Sequence, residues 1–237
     1  MIQHINNQTM GRSDLGWLQS IFHFSFADYY NENNMNFGVM RVLNDDLIAP
    51  DTGFGMHPHN NMEIVSYIVD GELTHQDNMG NKNALPRGMV QYMSAGTGVM
   101  HSEHNRSEDT ARLLQLWLLP SEKGLTPNYG DHAFDWDLRH NKWLHMVSSI
   151  DGHAPVKIHQ DVNIYSLDLD QAHTINFELK PSRQAYLVQI EGQSSLSGLE
   201  SEAISLQMKD AAEIYQEAFT LTAIDKSHYL LIEMALA

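Results

Sequence analysis

Short apolar or alternating runs recur along the chain, separated by Gly, Asn and Asp. Residues 37–43, 63–69 and 113–119 in the first half, and 163–169 and 185–190 in the second, are each of strand length. Turn signals such as Asp70-Gly71 and Glu191-Gly192 close them. Apolar or alternating runs bounded this way predict β-strands, and many of them at this spacing predict an all-β sandwich, barrel or jelly roll. Long amphipathic patterns are scarce. Stretches 209–218 and 26–30 are the best suited to a short helical turn. Residues 120–141 are polar and rich in turn formers, and read as the connection between two β halves. The expected division is an N-terminal domain over 1–130 and a C-terminal domain over 131–237.

Composition narrows the function. With 42% hydrophobic residues among 237, the chain can bury a core. Its formal net charge of −16 repels phosphate backbones, which argues against direct nucleic-acid binding. The absence of cysteine removes disulfides, thiolate ligands, iron–sulfur clusters and a Cys nucleophile together. No apolar run approaches the ~20 residues that span a bilayer, and the start lacks the pattern of a signal peptide. The expectation is a soluble, cytoplasmic monomer with no membrane contact.

Chemistry concentrates in two short clusters, His57-Pro58-His59 and His101-Ser102-Glu103. In an extended strand, residues i and i+2 point to one face. His57 and His59 can therefore converge on an ion, and so can His101 and Glu103 from a neighbouring strand. Three imidazoles and a carboxylate are a complete ligand set for a borderline divalent metal. Glu63 is the alternative carboxylate. If Glu103 is the ligand, Glu63 is expected to accept a hydrogen bond from a ligating ring. His75, His104, His132 and His153 read as surface or turn histidines. Most methionines read as core filler, although Met56 and Met100 flank the ligands and could line a pocket for an aromatic ring. Trp17, Trp117, Trp136 and Trp143 read as core or domain-contact residues. A faint repeat aligns Gly71 with Gly192 and sets Glu178, Lys180 and Gln184 opposite His57, His59 and Glu63. A Lys ammonium has no lone pair for a metal, so the second half is expected to repeat the architecture without the site.

The run from Gly55 through His57, His59 and Glu63 to Gly71 resembles the first motif of the cupin superfamily. Gly88, Gly96, His101 and Asn105 resemble the second. More specifically, His57-Pro58-His59-Asn60-Asn61-Met62-Glu63, the stretch from Ser94 to Glu103, and Gln115-Leu116-Trp117-Leu118-Leu119-Pro120 resemble pirin and the short bacterial pirin-like proteins. The resemblance is strong from about Gly55 to Tyr129. It departs at Asn60-Asn61-Met62, where an Arg-Gly-aromatic sequence is common. It implies a bicupin of two β-sandwich barrels with a metal in the N-terminal barrel only. The implied ligands are His57, His59, His101 and Glu103, and the implied activity is quercetin 2,3-dioxygenase, acting on a small aromatic substrate with O₂. Fe(II) suits that donor set best, and Zn, Cu, Ni or Mn would also bind. Glu103 is then the expected general base. A metal-dependent partner of a transcription regulator and a purely structural metal are the competing roles.

Overall fold

The computed structural model describes residues 1–199 and 201–236. Among these residues the regular structure is β-strand, with two short 3-10 turns at Asn7–Thr9 and Trp136–Arg139. The all-β expectation therefore holds. The chain forms two compact units that interleave in sequence. One is Met10–Phe134 with Val156–Gln160, and the other is Met1–Thr9 with Asp135–Pro155 and the chain from Asp161 onward.

In the first unit the large sheet runs Asn128–His132, Val90–Ser94, Glu63–Asp70, Ala111–Leu118, Met40–Ile48, Leu18–Phe22, Gly11–Asp14. The small sheet runs Thr52–His59, Val99–Asn105, Glu72–Asp77, Lys82–Pro86. Ile48, Ile68 and Leu113 of the large sheet pack against Leu73 and Leu85 of the small one, all fully buried or nearly so. The central strands Met40–Ile48 and Glu63–Asp70 are buried along almost their whole length. Burial on both faces explains why Glu63–Asp70 reads as a mostly apolar run rather than an alternating one. Val99–Asn105 alternates instead, with Val99, His101, Glu103 and Asn105 buried and Met100 exposed. Two glycines let this strand take its place. Gly96 has φ 45, and a β-carbon there would strike the Leu125 carbonyl; one on Gly53 would strike the Glu103 carbonyl. Only glycine tolerates these approaches without backbone movement.

The second unit repeats the plan. Its sheet contains, in order, Ala211–Tyr215, Arg183–Glu191, Ser227–Ala235, Val162–Leu169 and Leu144–Ser149. These occupy the same order as Val90–Ser94, Glu63–Asp70, Ala111–Leu118, Met40–Ile48 and Leu18–Phe22. Its small sheet runs Thr174–Phe177, Phe219–Ala223, Ser194–Gly198, Ile204–Leu206. Gly71 and Gly192, aligned from sequence, sit in equivalent turns with φ 71 and 78. In the strand pair equivalent to Thr52–His59 and Val99–Asn105, Phe177 stacks on Phe219 with ring centroids 5.5 Å apart.

Three local expectations are corrected. Stretch 209–218 is not helical: Ala211–Tyr215 is a strand paired with Ile2–Ile5 and Arg183–Glu191, bracketed by Lys209 and Gln216 at positive φ. Partners on both edges outweigh the helix preference of Ala-Ala-Glu. The polar stretch 120–141 is more than a connection, because Asn128–His132 pairs with Val90–Ser94. The strand expected from residue 37 begins at Met40, after a tight turn in which Phe37 bridges Met40 across Gly38 at φ 52.

Candidate metal centre

The small sheet assembles the two clusters. Thr52–His59 and Val99–Asn105 pair antiparallel with His101 directly opposite His57. A bulge falls between His101 and Glu103, and Glu103 lies opposite His75 on the next strand. The ligand atoms of His57, His59 and His101 all lie within 4.8 Å of one another. Those of His75, His101 and Glu103 form a second such group. With bonds of about 2.1 Å, ligands around one ion sit on this scale. His101 belongs to both groups and so links His57 and His59 to Glu103, while the second group also brings in His75.

The protonation states favour lone pairs. His57 Nδ1 lies 2.7 Å from the Gly55 carbonyl. A carbonyl only accepts, so Nδ1 carries the hydrogen and Nε2 is free to bind. His101 is buried, and neither ring nitrogen has a hydrogen-bond partner. An unpaired buried polar atom is costly, and a metal ion fits that need at one nitrogen. Burial, followed by the neighbouring His57 and His75, brings the His101 pKa down to about 3. Burial, then His101 and His57, brings that of His59 down to about 4. Both rings are neutral near pH 7, as metal binding requires. The residues fit a divalent metal.

The large sheet supplies the carboxylate's support. Glu103 is buried, with Oε1 accepting from Gln91 Nε2 at 2.6 Å and Oε2 from Gln115 Nε2 at 2.8 Å. Trp117 Nε1 donates to Gln115 Oε1 at 3.1 Å and fixes which end of that amide faces Glu103. Glu63 is engaged elsewhere. It accepts from the backbone N–H groups of His159 and Gln160, at 2.7 and 2.8 Å, and contacts the His159 ring at 3.0 Å. The expected bond from Glu63 to a ring of the cluster is therefore replaced by an anchor for residues 159–160.

Other sequence readings change as well. His75 is not a surface histidine. It is fully buried, lies 3.2 Å from Asp77 Oδ2, and stacks on Tyr129 with centroids 4.3 Å apart. Met56 and Met100 point to solvent rather than lining a pocket. Trp117, read as a core residue, stands edge-on to His59 at 4.8 Å in a cavity wall.

That cavity, about 300 Å³, opens beside the cluster and is lined by His57 and Glu103 together with Phe26, Phe54, Trp117 and Asp46. Small-molecule sites begin at about this size. Burial drives the Asp46 carboxyl up to about 7, with the nearby Asp45 and Glu103 charges adding and the Ser20 hydrogen bond opposing. A raised carboxyl contributes stability that is full below its unfolded value of 3.8 and is lost as pH rises through about 7. Asp46→Asn removes the ionisable group. The Tm of this variant relative to wild type is expected to climb between pH 4 and 7, in thermal melts across that range. A pH-independent difference would contradict a protonated Asp46.

Residues 4–118 match the pirin family model, and residues 145–234 match the quercetinase C-terminal cupin domain. The pirin-like protein of Caulobacter vibrioides is 40% identical, over 95% of this chain and 96% of that protein. This chain belongs to the pirin family. Its two sandwiches are the paired cupin domains of that family. The quercetin 2,3-dioxygenase of Escherichia coli K12 is 36% identical over 94% of each chain. The crystal structure of the bacterial pirin YhhW from Escherichia coli in complex with nickel(II) superposes with a TM-score of 0.90 at 34% identity, covering 100% of both chains.

Several residues of this pirin site are not evident from motif spacing. Gln91 and Gln115 support Glu103 from the opposite sheet. Asn44 and Asp46 also face the cavity. Their one visible signal is polarity inside strands that are otherwise apolar: Gln115 between Leu114 and Leu116, and Asn44-Asp45-Asp46 between Leu43 and Leu47. Asp45 is explained separately, since it faces the other way and takes a two-point hydrogen bond from Arg112 at 2.9 and 2.7 Å.

Proposed function

We propose that this protein is a metal-dependent dioxygenase that opens the heterocycle of a quercetin-like flavonol with O₂, using His57, His59, His101 and Glu103 as the ligands of one divalent transition metal. The observation that carries this reading is the convergence of His57, His59 and His101, with Glu103 converging on the same His101, at the wall of an aromatic-lined cavity. The names of the relatives and the nickel(II) complex of the Escherichia coli pirin support it. The donor set suits Fe(II), and also accommodates Ni, Cu, Mn or Zn.

When bound, a divalent metal supplies Lewis acidity that lowers the pKa of a hydroxyl group beside it. The chain's own residues do the rest. Phe26, Phe54 and Trp117 exclude water and offer apolar faces to the flavonol rings. Glu103 takes the proton of the 3-hydroxyl. Each carboxylate oxygen has two lone pairs, so those occupied by Gln91 and Gln115 leave one on each oxygen for ligation and for the proton. The two amides hold the carboxylate plane while that happens. The reaction consumes O₂ and releases carbon monoxide as the ring opens.

The test is aerobic loss of flavonol absorbance by apo protein reloaded separately with Fe(II), Cu(II), Ni(II), Mn(II) and Zn(II), with His59→Ala as the blank. Turnover that depends on the metal and vanishes in the blank is expected. Failure with every metal, in protein that binds one equivalent, would overturn the dioxygenase reading in favour of a metal-dependent interaction module.

A further inference from the structure

The inner face of the large sheet carries a row of polar side chains that Glu103 accounts for only in part. Gln91, Ser66, Gln115 and Asn44 sit directly opposite one another on four successive strands. Ser20 faces Asp46 one step along, across the next strand pair. Such a row in the core of a β-sandwich is costly unless each member finds a partner. Glu103 satisfies Gln91 and Gln115, and both amides also reach Ser66. Beyond Gln115 the row has a different character. Asn44 is 4% exposed, lines the cavity, and its Oδ1 has no hydrogen-bond partner. Asp46 is 3% exposed, also lines the cavity, and takes one hydrogen bond from the Ser20 hydroxyl at 2.5 Å.

We propose that Asn44, Asp46 and Ser20 form a substrate-recognition subsite that binds ring hydroxyls of a polyhydroxylated aromatic substrate, on the sheet opposite the metal ligands. The proposal rests on the flavonol reading above and adds to it the residues that select the hydroxylation pattern. A phenolic hydroxyl donates to Asn44 Oδ1, and a second ring hydroxyl bonds the Asp46 carboxyl on the same strand. Asp46, two residues along the same strand and lining the same cavity, adds a carboxyl whose oxygens keep lone pairs beyond the bond from Ser20. The same cavity is lined by Phe22, Phe26, Phe54 and Trp117, beside His57 and Glu103. Polar groups set among aromatic walls match a flat hydroxylated ring system better than a sugar or a charged metabolite.

The experiment compares quercetin with 3-hydroxyflavone, which keeps the 3-hydroxyl and lacks the others. Dissociation constants are measured by calorimetry without oxygen, on metal-loaded wild type, Asn44→Leu and Ser20→Ala. Wild type is expected to prefer quercetin. Asn44→Leu is expected to erode that preference by about tenfold, the size of one hydrogen bond to a buried group. Ser20→Ala is expected to erode it in the same direction, and serves if the first variant does not fold. Equal affinity of wild type for the two flavonols, a preference unchanged in both variants, or binding of neither flavonol would overturn the subsite. If the preference and its loss are seen but no metal supports turnover in air, the dioxygenase reading fails while the subsite stands.

Discussion

Replacing His101 by alanine is expected to abolish stoichiometric metal binding and, with it, flavonol turnover. His101 belongs to both groups of converging ligand atoms, and each of its ring nitrogens is buried without a partner. Loss of a supporting hydrogen-bond partner costs a metal site about 10–100-fold in affinity, and loss of this shared ligand is expected to cost more. The fold has less to lose. Removing a buried group whose polar atoms are already unsatisfied is near neutral apart from the cavity left behind. The metal-free variant should therefore melt close to metal-free wild type. Only wild type should gain stability when metal is added, because ligand binding to the folded state alone raises Tm. Metal analysis after dialysis and paired melts check both halves. Wild-type metal content in His101→Ala would remove this residue from the ligand set.

Glu103→Gln is expected to separate binding from chemistry. The carboxamide keeps the size of the side chain and one acceptor oxygen. Its NH₂ would face a donor, yet Gln91 can turn its unpartnered Oε1 to receive it, whereas Gln115 is held by Trp117. The cost in stability should thus be about 1 kcal/mol, one exchanged hydrogen bond. The proton-accepting role has no such substitute. General base catalysis is worth roughly 10²–10⁴-fold, and kcat should fall by that order while part of the metal remains bound. A variant with unchanged kcat would place the proton acceptor elsewhere.

These residues were legible in the sequence because a strand's period of two puts His57 with His59, and His101 with Glu103, on shared faces. The internal repeat was legible for a similar reason, through apolar strands that end in a glycine at positive φ. What escaped detection depends on which strands become neighbours. His75 meets His101 and Glu103 only because Glu72–Asp77 pairs beside Val99–Asn105, and nothing in its own segment distinguishes it from a turn histidine. Gln91, Gln115, Asn44 and Asp46 converge from three strands far apart in sequence, within runs whose apolar character hides the inward-facing polar position. Met56 and Met100 failed in the opposite way. Adjacent residues in a strand face opposite sides, so flanking a ligand directed them to solvent. The same tertiary dominance turned 211–215 into a strand despite its helix-forming composition.

Metal-dependent dioxygenation is tested by the stoichiometry of oxygen consumed and carbon monoxide released per quercetin lost, measured on metal-loaded wild type with metal-free protein as the reference. Equal amounts of all three are expected, with no carbon monoxide from the metal-free protein. Quercetin loss without carbon monoxide, or at the same rate without metal, would contradict it.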